Sequence, residues 1–229
     1  MTAASIETGA WLQVAWDGFR DLVRTEREAG RAEACRRLAG LRDAYLALKR
    51  PDEPPLVDAR DDALWELART RGVWALWMLR EAMGPTFDLA CEAWLGTGAP
   101  ATPAELFERL GRSEADPVAR GFRWWIEATD LPDYRLRSAT YRRVADGYEV
   151  ALRLANAGGG GVPVPLAVET EEGARHTLTV TMAVGARLEV RYPLLTRPVA
   201  AAVDPDGVVL TRGGPGRWRR VRPRWFWFG

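Results

Sequence analysis

The sequence is short of the residues that most often do chemistry. It holds one histidine, His176, and two cysteines, Cys35 and Cys91. A zinc site needs three or four His, Cys or carboxylate ligands converging on one point. A histidine-based triad would have to use His176, which lies in a strand pattern with no nucleophile elbow to accompany it; His176 therefore reads as a surface residue. Two distant cysteines make no disulfide framework, which points to a reducing compartment. No apolar run reaches the ~18 residues of a spanning helix, so no membrane span is expected. Met1–Gly9 lacks the basic and apolar regions of a secretory signal, and cytoplasm is the expected location. Lysine is nearly missing: Lys49 is the only one among 32 basic residues. Arginine is spread over the whole chain and reads as a coding bias. A net charge of +1 gives no global reason to expect nucleic acid. The glycine run Gly158–Gly161 precedes a strand and no Gly-Lys-Ser/Thr, so it reads as a flexible loop rather than a phosphate cradle. The acidic stretches Asp58–Asp62 and Glu169–Glu172 read as a helix start and a hairpin turn, and nothing selects a catalytic pair.

What is present is core material: 47% hydrophobic residues and eleven tryptophans in 229 residues, enough for one large domain or two modest ones. From Trp11 to Arg123 the pattern has helical period, with Leu12, Ala15, Trp16, Phe19, Leu22 and Val23 recurring at three and four residues. Gly30 can end that helix, and a second runs to about Lys49 before Arg50–Pro55 breaks it. A third is expected over Asp58–Met83, apolar round most of its circumference. A short helix follows over Thr86–Leu95. Thr102-Pro103-Ala104-Glu105 is a start signal, and a last helix spans about Pro117–Thr129. At Leu131–Tyr134 the period falls to 2. Seven short strands are expected, over Tyr141–Val144, Tyr148–Leu154, Val162–Glu169, Thr177–Val184, Arg187–Tyr192, Val199–Val203 and Val208–Thr211, which argues for an immunoglobulin-like sandwich. The fold class is thus α+β, an N-terminal helical domain followed by a β-sandwich. The expected divisions are 1–134, 135–212 and a tail, 213–229. The tail interleaves five arginines with Trp218, Trp225, Phe226, Trp227 and Phe228. Docking on a protein partner ranks first for it and pairing as a strand close behind; single-stranded nucleic acid and an anionic membrane rank last.

Three segments in order resemble the gluzincin aminopeptidases, the zinc family that includes aminopeptidase N and leukotriene A4 hydrolase. Trp11-Leu12-Gln13-Val14-Ala15-Trp16 is similar to that family's Trp-Leu-Asn-Glu-Gly-Phe, which supplies the third zinc ligand. Arg69-Thr70-Arg71-Gly72, continuing into Met78-Leu79-Arg80, is similar to its Tyr-Glu-Lys-Gly helix, whose Tyr polarises the scissile carbonyl. Phe122–Trp125, Leu131–Tyr134 and Val203–Gly207 look like the end of its helical domain and its β-sandwich. The resemblance covers roughly residues 11–212 and implies the C-terminal half of that fold.

The departures from the family shape the functional expectation. With Val14 at the ligand position, the second His of the family's His-Glu-x-x-His falls before Met1. Val14 itself cannot coordinate zinc, and Arg69 replaces the Tyr. The expectation is a pseudoenzyme without catalytic or metal-binding residues, acting as a partner-binding or scaffolding subunit. Its partner would be another protein or a second copy, met by apolar surface around Trp11, Trp16 and Trp74 and by the aromatic tail. The alternative is the C-terminal subunit of a split metallopeptidase that holds zinc only with a separately encoded His-Glu-x-x-His chain.

Overall fold

The computed structural model describes residues 9–59, 65–94, 100, 102–113 and 115–224. The chain divides into two compact units, Met1–Thr129 and Asp130–Gly229. The first is helical and the second is built of two four-stranded sheets. The first strand starts at Tyr134, ahead of the expected Tyr141.

In the helical unit α1 (Ala10–Ala29) and α2 (Arg31–Leu48) meet at Gly30, whose φ of 85° lies in the region that favours glycine. The third helix departs from expectation. Leu56–Asp58 is a short 3-10 turn, and residues 65–67 are helical. Ala68–Gly72 then forms a π-helical turn before α3 (Val73–Met83). Such single-turn π segments often mark functional sites. α4 (Pro85–Trp94), α5 (Pro103–Arg109) and α6 (Pro117–Glu127) complete the unit. Thr102 caps α5 by accepting the Glu105 N–H, at 3.1 Å, as its start signal predicts. Asp116 caps α6 through the Val118 N–H at 2.8 Å, and that bond, with Arg112 nearby, holds its carboxyl below the ordinary value.

α1 and the π turn approach closely because small residues face each other. A Cβ on Gly72 would lie 2.9 Å from the Ala15 Cβ, and one on Gly18 would lie 2.7 Å from the Val73 Cγ2. The large rings pack around this crossing: Trp11 against Phe122, Trp16 against Phe19, Phe19 edge-on to Phe87.

In the second unit the sheets run β5-β2-β1-β8 and β4-β3-β6-β7. Their strands are β1 (Tyr134–Val144), β2 (Gly147–Asn156), β3 (Pro163–Thr170), β4 (Arg175–Thr181), β5 (Arg187–Leu194), β6 (Pro198–Val203), β7 (Arg219–Arg220) and β8 (Arg222–Pro223). Val150, Leu152 and Leu154 of β2 and Val164, Leu166 and Val168 of β3 supply much of the core. Three expectations are corrected here. Val208–Thr211 is buried but is no strand, because the Asp204 carboxylate accepts the N–H groups of Val208 and Val209 at 2.8 and 3.1 Å. The glycine loop is pinned rather than free: Asn156 donates to the Gly160 carbonyl at 2.6 Å and the Gly159 N–H bonds Leu131 O. The tail, through Arg224, belongs to the sandwich. β7 pairs with β6, β8 runs parallel to β1, and buried Val221 marks the crossing from one sheet to the other.

Candidate functional site

Both degenerate positions singled out by the sequence lie in the helical unit. Val14 is half-buried on α1 and offers no donor atom. Arg69 is exposed on the π turn, and its guanidinium carbon lies 5.9 Å from the ring centre of Trp65, four residues earlier and 50% exposed. A cation over a tryptophan face is held by the ring quadrupole, so this arginine is engaged on the surface.

Arg71, two residues on, is 1% exposed. Its Nη1 donates to Glu53 Oε1 at 3.0 Å and its Nη2 to the Trp125 carbonyl at 2.7 Å. Glu53 Oε1 also accepts from the Tyr45 hydroxyl at 2.8 Å. Lys49 Nζ stands 3.7 Å from Glu53 Oε2 and donates to the Thr129 carbonyl at 2.6 Å. Burial pushes the Tyr45 phenol well above its ordinary pKa; the Arg71 charge opposes this and the bond to Glu53 reinforces it. The network joins α2, the 49–55 connection, the π turn and the end of α6. Most of its polar atoms bond one another, so the network works as a lock, although the buried Arg71 Nε has no hydrogen-bond partner among the described residues.

Beside the lock opens a cleft of about 470 Å³, lined by Tyr45, Leu48, Asp52, Glu53, Glu66 and Thr70 among others. That volume lies within the range of small-molecule sites, roughly 300–1,000 Å³. Glu66 and Thr70 line it from one row of the helix, and Trp65 and Arg69 form the adjoining row. Leu48, 45% exposed, adds apolar surface at the mouth. Among the described residues no group of three or more His, Cys, Asp or Glu is arranged to hold a metal ion.

The expected apolar patch is corrected. Trp11, Trp16 and Trp74 are fully buried, and Trp74 donates its indole N–H to the Leu38 carbonyl at 3.1 Å. The close crossing at Gly18 and Gly72 draws these rings into the unit's own core. Trp218 is partly exposed and carries the Arg175 guanidinium 5.4 Å from its ring centre. Trp225, Phe226, Trp227 and Phe228 lie outside the described residues. His176 is half-buried in β4, its ring 6.1 Å from that of Tyr192.

Sequence reasoning did not find Trp65, Tyr45, Glu53 or the lock at Arg71. One signal for Arg71 was present: a charge directly before the apolar run Gly72–Leu79 has to be paired if that run is buried.

No family model and no curated protein matches the sequence. Among solved structures, the fold is similar to Legionella pneumophila aminopeptidase A, solved in complex with aspartic acid, at a TM-score of 0.53 and 15% sequence identity. The match covers 95% of this chain and 24% of that one. The chain thus has an aminopeptidase-like fold and spans about a quarter of the length of that neighbour.

Proposed function

We propose that this chain is a non-catalytic, aminopeptidase-like protein that binds a protein partner through the surface around Trp65 and Arg69. The observation behind this reading is the exposed Trp65 ring with a guanidinium over it, next to a cleft and the exposed Leu48. Tryptophan and arginine are the residue types that dominate binding hot spots. Two further features support the loss of catalysis: an isopropyl group stands at the ligand-like position Val14, and the turn that resembles the Tyr-Glu-Lys-Gly segment serves as a buried lock through Arg71.

The rival reading, a split zinc peptidase, draws on the chain's spanning 24% of the aminopeptidase it is similar to. In such an assembly Val14 would still leave the third ligand position without a donor. Partner capture from the source cell tests the proposal. A protein retained by the wild-type chain is expected to be lost with Trp65→Ala/Arg69→Ala and kept with a control change at exposed Arg36. Equal retention by all three would remove the Trp65 surface from the account. A captured chain carrying His-Glu-x-x-His, with zinc in the pair, would favour the rival.

A further inference from the structure

We infer that two copies of this chain pair edge to edge through β4, antiparallel about Leu178, to make one continuous eight-stranded sheet. The starting point is how differently the four sheet edges are treated. β7 and β8 are two residues long, and β8 contains Pro223. β5 places Arg187, Glu189 and Arg191 on its exposed face and carries Pro193. Short strands, charges and prolines are the devices that stop edges from pairing. β4 runs seven residues, Arg-His-Thr-Leu-Thr-Val-Thr, with neither proline nor lysine. Its exposed face is Thr177, Thr179 and Thr181, and its inward face is His176, Leu178 and Val180.

The hairpin fixes which backbone groups are free. Thr170 donates its N–H to the Ala174 carbonyl, and Val168, Leu166 and Val164 stand opposite His176, Leu178 and Val180. Bonding alternates along an antiparallel pair, so those three β4 residues bond to β3. Arg175, Thr177, Thr179 and Thr181 turn their N–H and C=O groups to the open side, where no described strand lies.

A second copy satisfies this edge in one register. With Leu178 opposite Leu178, Thr177 meets Thr179 and Arg175 meets Thr181, each twice by symmetry. All four free residues are matched, in about eight backbone bonds. The central leucines form a non-hydrogen-bonded pair, where side chains come closest, and Thr–Thr pairs are favourable neighbours. Charge is compatible as well. The only charged residue, Arg175, is paired with Asp206 at 2.8 and 3.2 Å, and the two copies of it stand at opposite ends of the ladder, roughly 20 Å apart at the strand rise. The contact is isologous and closes on itself as a two-fold dimer. It stands on the sandwich alone and goes beyond the partner reading above, so either can fail without the other.

Sedimentation velocity on the full chain tests the pairing. The wild type is expected to associate to a dimer with rising concentration. Thr177→Lys/Thr179→Lys sets lysine opposite lysine in both symmetric pairs and is expected to weaken association roughly tenfold or more. Thr177→Glu/Thr179→Lys sets opposite charges in the same pairs and is expected to restore it. Both changes fall on exposed side chains, and matching near-ultraviolet circular dichroism checks that the fold is kept. A wild type monomeric at every concentration, or a dimer that both variants leave alone or weaken equally, overturns the inference. A monomer that instead captures a foreign protein, lost in the double-lysine variant, assigns the edge to another chain's strand and equally overturns self-pairing.

Discussion

At the residue scale, two buried polar groups carry the sharpest consequences. Arg71 neutralises Glu53 inside the helical unit while bonding the Trp125 carbonyl. Breaking a buried pair by removing one member strands the other, at about 3–5 kcal/mol. Arg71→Met should therefore lower the urea midpoint by that equivalent, whereas Arg71→Met/Glu53→Met should recover much of the loss. A double variant no more stable than the single would show that the pair is not the cause. In the sandwich, the Tyr134 hydroxyl donates to the Val162 carbonyl and accepts the Val162 N–H, both at 3.0 Å. Burial pushes its phenol from 10.0 up to about 12. The folded state thus disfavours the phenolate, so this contribution is whole below about pH 10 and fades as pH rises towards 12. Urea titrations at pH 9 and pH 11.5 should show the loss, and a smaller one in Tyr134→Phe. Burial likewise raises the Cys91 thiol to about 12, and reactivity follows thiolate content. Alkylation at pH 8 is expected to spare Cys91 until urea is added; rapid labelling of native protein would contradict its burial.

At the scale of elements, the crossing of α1 over the π turn organises the helical unit. Gly72 has an ordinary helical φ of −63°, so glycine is needed there for space, not for conformation. Gly72→Ala should lower the melting temperature: overpacking costs about 1–3 kcal/mol, against roughly 1 kcal/mol gained in helix propensity. Gly40, inside α2, has nothing within 4 Å of where a Cβ would lie. Gly40→Ala should raise the melting temperature, through about 0.5–1 kcal/mol. If both changes shift it alike, the crossing is not what holds Gly72.

This is also the scale at which the sequence is most and least legible. Helical period, Gly30 and the Thr102 cap place α1, α2 and α5 closely, because those signals are local. The π turn was not visible, since its five residues keep a helical pattern. Arg69 and Arg71 cannot be told apart by residue type in a chain so rich in arginine; only the third dimension pairs one with Glu53 and lays the other on Trp65. Val208–Thr211 shows why apolar runs mislead: a neighbouring carboxylate takes the N–H groups that a ladder would use. β7 and β8 hide in an arginine tail because their strand character comes from edges already present, not from their own residues.

At the scale of the whole molecule, a helical unit precedes a two-sheet unit, and the fold is similar to that of a known aminopeptidase at an identity that shows the fold alone. No helix among the described residues is long and apolar enough to cross a membrane. The Trp65–Arg69 surface and the β4 edge are the two places proposed for contact with other chains. The central proposal is chemical: a chain with Val14 at the ligand-like position holds no zinc of its own. Zinc content measured after incubation with one equivalent of zinc and desalting tests it most directly. The account predicts far less than one zinc per chain, unchanged by Val14→Ala. One tightly held zinc per chain would contradict it.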